Sequence, residues 1–88
     1  MSSALVTIVT PVYNSINYIE ASVQSVVNQT YENWEMILVD DCSSDGSLEL
    51  INKIAKTEKR LKIIQNRVNL GSGISRNKAI KLAKGKYI

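Results

Sequence analysis

Short apolar runs alternate along the chain with segments whose apolar residues recur every three or four positions. The short runs, several of them rich in β-branched residues, predict strands, and the spaced positions predict amphipathic helices. The predicted strands cover residues 5–10, 34–40 and 61–65. The predicted helices cover residues 17–28, 47–57 and 75–84. The last three residues, Lys86, Tyr87 and Ile88, resemble the beginning of a fourth strand.

Local signals predict where some of these elements begin and end. Pro11 is expected to end the first strand, because proline cannot donate to a strand ladder. Asn17 followed by Glu20 has the form of a capping box, which predicts the start of the first helix. Gly85 is expected to end the third helix as the residue that follows its C-cap.

The alternation of strands and helices predicts the fold class. It favours an α/β architecture in which a mostly parallel, Rossmann-like sheet carries helices on both faces. The unbroken apolar run Ile37-Leu38-Val39 suits a central strand that is covered on both sides. We find no sign of a linker, so residues 1–88 are expected to belong to a single domain. Because the chain ends inside an apparent strand, we expect it to be the N-terminal part of that domain.

The composition excludes several classes of site. The 88 residues contain one cysteine, Cys42, and no histidine, which leaves no material for an internal disulfide, a zinc site or a histidine-based triad. No apolar run approaches the roughly 18 residues that a membrane-spanning helix needs, and no secretory signal is recognisable. We therefore expect a cytoplasmic protein.

The charges are distributed unevenly. All 11 basic residues lie from Lys53 onward, whereas seven of the eight acidic residues lie at or before Glu49. The lysines at helical spacing are best explained as solvated helix faces. An anionic membrane surface or substrate is the second interpretation. Nucleic acid is not expected as a partner, because the basic part has almost no aromatic residues that could stack on bases.

Three polar loops are expected to meet at the carboxyl edge of the sheet, where ligands of open α/β sheets bind. They cover residues 11–15, 41–47 and 66–75. Tyr13 offers an aromatic face, Asp41 a carboxylate and Arg76 a planar cation, a combination that fits a nucleoside diphosphate. Taken singly, each residue also has a simpler interpretation. Tyr13 can be a half-buried loop aromatic, Asp41 a turn or cap residue and Arg76 an ordinary surface residue.

Neighbouring strand residues point to opposite faces, so Asp40 and Asp41 are not expected to share one role. One can face a ligand while the other ties down the loop.

Two other motifs carry no prediction. Gly71-Ser72-Gly73 lacks the third glycine of a dinucleotide fingerprint, since position 76 is arginine. Cys42 has no histidine partner that would make it a nucleophile.

Five motifs, in the expected order, resemble the family 2 glycosyltransferases with the GT-A fold. They are VTIVTPVYN at 6–14, QTY at 29–31, ILVDDCSSDGS at 37–47, NLGSGISRN at 69–77 and AKGKYI at 83–88. Each motif is weak by itself, but five in sequence are specific. The resemblance covers residues 5–88, nearly the whole chain.

The resemblance implies a nucleotide site. Its residues would be Pro11, Val12, Tyr13, Asp40, Asp41 and Arg76. In this family pattern Tyr13 lies against the base, Asp41 accepts a hydrogen bond from a base N–H, most often that of uracil, and Asp40 braces the loop. Arg76 lies near the nucleotide and its phosphates.

The resemblance also implies an activity, a nucleotide-sugar-dependent hexosyltransferase of polysaccharide biosynthesis. Such an enzyme transfers a sugar from a donor such as a UDP-sugar to a saccharide or lipid-linked acceptor, with inversion expected at the transferred carbon. In the family, a D-x-D element that follows the strand beginning at Lys86 holds Mg²⁺ or Mn²⁺ on the diphosphate, and the catalytic base lies later still. We therefore assign no catalytic residue and no metal ligand to this chain, and we expect it to be inactive alone.

Two further expectations concern partners. Enzymes of this kind often work at the cytoplasmic face of a membrane, and the basic C-terminal part would suit peripheral association there. Apolar surface left uncovered where later strands pack would favour self-association of the chain.

Two alternatives remain open at the level of the sequence. The first is a non-catalytic flavodoxin- or receiver-like module that binds a nucleotide or a partner. A receiver would carry its acidic pair after the first strand and an aspartate after the third, whereas here the pair follows the second strand and the third ends at Gln65-Asn66. The second is a scaffold that keeps the fold without activity.

Overall fold

The computed structural model describes residues 4–87, with side chains described as far as Gly85. The strands are β1 (Val6–Val12), β2 (Trp34–Asp41), β3 (Leu61–Asn66) and β4 (Lys86–Tyr87). The helices are α1 (Ile19–Asn28), α2 (Ser47–Ala55) and α3 (Ser72–Leu82). This order confirms the predicted α/β class. A fourth strand is present as predicted, although Ile88 lies outside the described residues.

The strands form one parallel sheet in the order β3-β2-β1-β4. The chain first moves outward from β1 to β3 and then returns across the sheet, so that β4 lies on the other side of β1. This reversal makes the gap between the carboxyl ends of β1 and β4 a topological switch point, the usual position of a ligand crevice in open α/β sheets.

Each face of the sheet carries its own hydrophobic cluster. The face covered by α1 and α2 contains Val12, Ile19, Val23, Trp34, Met36, Leu38, Ile51 and Leu61. The other face contains Ile37, Val39 and Ala79 of α3. Every residue of β2 is buried, as the apolar run predicts for a central strand. Helices therefore cover both faces of the sheet, as predicted.

The prediction that Pro11 ends the first strand is wrong. Pro11 lies within β1 and pairs with Val39 of β2. The amide of Val6 donates to the carbonyl of Asn33, on the β2 side, at 3.0 Å. Because strand residues alternate, the nitrogen of Pro11 faces away from β2. In the described part of the chain, β4 pairs only with the beginning of β1, so no ladder bond is lost at the proline.

The predicted capping box of the first helix is also wrong. α1 begins at Ile19, and no side chain caps its first turn. The carbonyl of Ser15 instead accepts hydrogen bonds from the amides of Tyr18 and Ile19, each at 2.9 Å. A tight backbone turn therefore leads into the helix without Asn17.

The boundaries of α3 differ from the prediction at both ends. The helix begins at Ser72 instead of Ser75, and Ala83 is its C-cap, so Gly85 does not terminate it. Gly85 is needed for another reason. A Cβ at this position would lie 2.3 Å from the carbonyl oxygen of Leu5. The glycine permits the close approach of the segment before β4 to the segment before β1.

Candidate functional site

The loop after β1 is tied to the loop after β2 by side chains. The amide of Asn14 donates to Ser43 Oγ at 3.0 Å, and the amide of Ser44 donates to Asn14 Oδ1 at 2.8 Å. Asn14 has a φ of 46°, a left-handed conformation that asparagine tolerates better than most residues. The two loops thus form one unit at the carboxyl edge of the sheet.

Asp45 and Ser47 strengthen this unit. Ser47 is completely buried, accepts a hydrogen bond from the Ser15 amide at 2.8 Å and donates its hydroxyl to Asp45 Oδ1 at 2.6 Å. Asp45 Oδ2 accepts from the amide of Ile16 at 3.1 Å. The hydrogen bond from the Ser47 hydroxyl is the largest of the influences that together lower the pKa of Asp45 below its usual value. Asp45 therefore remains an ionised acceptor that holds the first loop.

The residues predicted at the end of β1 differ in exposure. Tyr13 is the first residue of the loop after β1 and is 53% exposed, so its ring is available to a ligand. Pro11 is partly buried. Val12 is completely buried in the cluster under α1 and α2, so its side chain belongs to the core and only its backbone remains for a ligand.

Asp41 holds the third loop. Its Oδ1 accepts from the amide of Leu70 at 2.7 Å and from Asn66 Nδ2 at 3.0 Å, while Oδ2 accepts from the amide of Gly71 at 2.8 Å. The Leu70 bond is the main cause of a lowered pKa at Asp41, and the Asn66 bond adds to it. A carboxylate offers about four acceptor positions, so one remains on Oδ2.

Asp40 points to the opposite face from Asp41, as expected for neighbouring strand residues. It is 1% exposed, and its Oδ2 accepts from the amide of Ser43 at 3.1 Å. Oδ1 is buried and has no partner within the part of the chain that the structure describes. The hydrogen bond from Ser43 connects Asp40 to the loop after β2. The role of Asp40 in nucleotide binding stays a prediction.

Arg76 is exposed near the beginning of α3. Its guanidinium has no hydrogen bond or ion pair with any residue between 4 and 87 whose side chain is described. It belongs to the same helix that follows Leu70 and Gly71, the loop residues held by Asp41. The arginine is therefore free to meet an anion, and its role stays a prediction.

Sequence reasoning missed the residues that connect the loops. Asp45 and Ser47 could have been found, because an aspartate two residues before a serine at a helix start is a common local cap pattern. Asn66 and Lys78 carry no such signal. They are 12 residues apart and meet because α3 folds back over the sheet, against β1 and β2.

The residues present do not fit a divalent metal. Among the described side chains, no group of three or more histidine, cysteine, aspartate or glutamate residues could hold such an ion. Mg²⁺ and Mn²⁺ require several oxygen ligands. Asp40 and Asp41 cannot supply them together, because their carboxylates lie on opposite faces of the strand.

A cavity lies at the other end of the sheet. It has a volume of about 310 Å³ and is lined by Val6, Ile8, Gln29, Tyr31 and Trp34. Because Val6 and Trp34 begin their strands, this cavity is remote from the three loops.

None of the helices that the structure describes is long and apolar enough to cross a bilayer.

Comparison with known proteins gives a consistent result. The chain is 39% identical, over its full length, to the Escherichia coli UDP-Glc:alpha-D-GlcNAc-diphosphoundecaprenol beta-1,3-glucosyltransferase WfgD. Residues covering 98% of the chain superpose on 26% of Staphylococcus aureus TarS 1-349 in complex with UDP-GlcNAc, with a TM-score of 0.83 and 34% identity. The mannosyltransferase PcManGT of Pyrobaculum calidifontis, in complex with GDP-Man and Mn²⁺, matches 91% of the chain with a TM-score of 0.84 and 27% identity, over 24% of its own length.

The match also has a defined extent. The chain covers 34% of WfgD, and it spans about a third or less of the curated relatives it matches. The sequence model described as "Glycosyl transferase family 2" matches residues 7–88. The parallel sheet and the superpositions agree with the GT-A fold. The chain therefore belongs to glycosyltransferase family 2.

Proposed function

We propose that this chain is the nucleotide-binding part of a glycosyltransferase that transfers a sugar from a UDP-sugar to a saccharide or lipid-linked acceptor. One observation supports the proposal above the others. Side chains of the second loop hold the loop that carries Tyr13, through the bonds of Ser47 and Asp45 to the amides of Ser15 and Ile16. An exposed aromatic ring is thereby presented next to the switch point of the sheet.

The chemistry of the loops supports a nucleoside diphosphate as the ligand. The ring of Tyr13 can stack on a base. The remaining acceptor position of Asp41 Oδ2 can take the N3–H of uracil, because the carboxylate is held ionised. Arg76 and the exposed beginning of α3 offer a guanidinium and backbone amides for the diphosphate. In this proposal Pro11 and Val12 form the backbone wall beside the base.

The relatives support the choice of donor and acceptor classes. TarS was solved with UDP-GlcNAc, and the name of WfgD gives UDP-Glc as donor and a diphosphoundecaprenol-linked sugar as acceptor. We extend this chemistry to the present protein, and with it a peripheral position at the cytoplasmic face of a membrane. Inversion at the transferred carbon rests on the family resemblance alone.

We further propose that the metal and the catalytic base belong to parts of the enzyme other than the residues described here. PcManGT was solved with Mn²⁺, whereas the described side chains of this chain do not form a site for such an ion. The 88-residue chain alone is accordingly expected to bind UDP without transferring sugar. Turnover of any nucleotide sugar by the purified chain would contradict this part of the proposal.

An amide-resolved NMR titration of the chain with UDP tests the proposal. We expect shifts at Tyr13, Leu70, Gly71 and Arg76, with and without Mg²⁺. Replacing Tyr13 by alanine should weaken binding, whereas Tyr18→Ala, which removes a tyrosine that is 72% exposed outside the loop unit, should not. A well-dispersed spectrum that does not change at millimolar UDP would contradict the proposal.

A further inference from the structure

We propose that Asn66 is a positioning residue that sets Asp41 for the nucleotide base, and that Lys78 fixes the side-chain amide of Asn66 in the orientation this requires. The inference rests on the proposed nucleotide site and adds to it a determinant of base specificity. Asn66 and Lys78 are not among the nucleotide-site residues that the family resemblance implies.

The geometry around Asn66 leaves one arrangement of its amide. The side chain is 2% exposed, and Nδ2 donates to Asp41 Oδ1 and to Ser75 Oγ, each at 3.0 Å. Oδ1 accepts from Lys78 Nζ at 2.7 Å. The Lys78 ammonium can only donate and the ionised Asp41 carboxylate can only accept, so the amide oxygen must face Lys78 and the amide nitrogen must face Asp41. Both hydrogens of Nδ2 are then used.

This arrangement determines what Asp41 can offer to a ligand. Its Oδ1 is saturated by Asn66 and by the amide of Leu70, whereas among the described residues Oδ2 accepts a hydrogen bond only from the amide of Gly71. Rotation of the carboxylate would break these bonds, so a single acceptor position remains in a fixed direction. A base that presents a ring N–H, such as uracil, satisfies it. A base that presents a ring nitrogen acceptor there, such as cytosine, places two acceptors against each other and is rejected.

The same bonds connect the base site to the diphosphate side. Ser75, which receives the second hydrogen bond of Asn66, is completely buried in the first part of α3. Leu70 and Gly71 directly precede this helix. A disturbance at Asn66 therefore changes both the direction of Asp41 and the seating of the helix that carries Arg76.

The ratio of the dissociation constants for CDP and UDP, measured by NMR titration of the chain, tests the inference. Lys78→Met removes the partner that anchors the amide oxygen of Asn66, and Asn66→Ala removes the amide itself. We expect either variant to lower the preference for UDP over CDP by about three- to tenfold, since one hydrogen bond of typical net strength is misdirected. Lys81→Met is the matched control, because Lys81 is exposed on the same helix and its loss changes the charge equally. It should leave the ratio unchanged.

Titration with the nucleosides uridine and cytidine, which carry no phosphate, distinguishes an effect of Lys78 on the base site from a direct contact of Lys78 with phosphate. If Lys78 acts through Asp41, Lys78→Met changes the uridine and cytidine affinities as it changes those of the diphosphates. If Lys78→Met weakens UDP and CDP equally and leaves both nucleosides unaffected, Lys78 contacts phosphate and the inference is overturned.

The amides of Leu70 and Gly71 provide a test that does not depend on binding. In ligand-free Lys78→Met both resonances should move, because the acceptor that they share changes direction, whereas in Lys81→Met they should stay in place. Unchanged resonances in both variants would overturn the inference. Wild-type chain that binds neither nucleotide would instead overturn the proposed function, and the amide resonances would still decide the role of Asn66.

Discussion

The backbone amide of Ser15 donates a hydrogen bond of 2.8 Å to the hydroxyl of Ser47, which lies 32 residues further along the chain. Ser47 is completely buried, and its hydroxyl donates a hydrogen bond to the carboxylate of Asp45. The position of the first loop is therefore determined by the start of α2. The exposed ring of Tyr13 belongs to that loop, so its preorganisation depends on a buried serine that no ligand needs to touch.

Replacing Ser47 by alanine should lower the free energy of unfolding by about 1–3 kcal/mol, because the amide of Ser15 and the carboxylate of Asp45 lose a buried partner. Urea unfolding gives this difference directly. UDP affinity should fall as well, because the loop that carries Tyr13 is released. Ser25→Ala is the matched control. The Ser25 hydroxyl is exposed and donates a hydrogen bond within α1, to the carbonyl of Ser22. An equal loss in both variants would contradict the role given to Ser47.

Most of the fold could be predicted from local pattern. The apolar run that ends at Val39 identified the central strand, and the alternation of elements identified the parallel sheet and its two helical layers. Two of the failures share one cause. Local rules misplace Pro11 and Gly85 because the environments of both residues depend on neighbours distant in sequence, whereas at Asn17 a local turn formed by the Ser15 carbonyl replaces the expected cap. Pro11 is tolerated because its nitrogen faces away from β2, and Gly85 because it meets the Leu5 carbonyl.

The candidate site was predictable to a similar depth. Topology alone brings the loops of Tyr13, Asp41 and Arg76 to one edge, so their proximity could be inferred from the sequence. Their connections could not. The bonds of Asp41 to Leu70 and Gly71 span 29 and 30 residues, and no pattern along the chain indicates which backbone amides a carboxylate will meet.

A further buried carboxylate, besides those of Asp40 and Asp41, lies at the opposite end of the sheet. Glu35 Oε2 accepts from Thr7 Oγ1 at 2.7 Å and from the amide of Lys84 at 2.8 Å, and Oε1 pairs with Lys62 Nζ at 2.8 Å. Burial acts to raise the pKa of Glu35, but the hydrogen bonds from Lys62, Thr7 and Lys84 outweigh it and lower the pKa to about 2. Glu35 thus joins β1, β3 and the segment between α3 and β4 to the start of β2.

This pKa predicts how stability depends on pH. A carboxyl with a lowered folded pKa stabilises the protein above its unfolded pKa, and the contribution disappears as the pH falls from about 4.5 to about 2. At neutral pH it amounts to at most roughly 3 kcal/mol, and less in salt because the Lys62 side chain is 44% exposed. Urea unfolding of wild type and Glu35→Gln should show a stability difference that shrinks over this interval.

Glu32→Gln is the control for the acid titration, since Glu32 lies exposed in the loop before β2. It removes one negative charge, as Glu35→Gln does, but leaves Thr7, Lys62 and Lys84 with their partner, so at neutral pH it measures the part of the stability change that comes from net charge alone. A stability difference between wild type and Glu35→Gln that stays constant from about pH 4.5 to about pH 2 would show that Glu35 does not supply the predicted linkage.

Arg60 lies over the ring of Trp34, with its guanidinium carbon 3.9 Å from the ring centroid. Replacing Arg60 by methionine keeps an unbranched side chain but removes the cation, and it should lower the free energy of unfolding by about 1 kcal/mol. Unfolding can be followed by the fluorescence of Trp34, the single tryptophan of the chain. Arg60 also pairs with Glu58 and donates a hydrogen bond of 3.2 Å to the carbonyl of Glu32. Glu58→Gln in both backgrounds separates the ion pair from the other two interactions. If Arg60→Met lowers the free energy of unfolding no more than Glu58→Gln does, the contact between Arg60 and the ring does not stabilise the protein.

Two glycines should respond to alanine in opposite ways. At Gly85 the added Cβ would meet the backbone of Leu5, with 2.3 Å to its oxygen and 2.7 Å to its carbonyl carbon. Gly85→Ala should therefore destabilise the protein by about 2 kcal/mol or more. Gly73 lies within α3, and nothing lies within 4 Å of its added Cβ. Gly73→Ala should stabilise by about 0.5–1 kcal/mol, through helix propensity and reduced freedom of the unfolded chain.

The same pair of variants separates crowding from flexibility, because both remove one glycine and add one methyl group. Urea midpoints measured under one condition give the comparison. If Gly85 were needed only for its backbone freedom, Gly85→Ala would change stability by no more than about 1 kcal/mol in either direction. A large loss at Gly85 together with a gain at Gly73 means that the segment before β4 must pass against Leu5, which holds β4 beside β1 and so shapes the crevice between them.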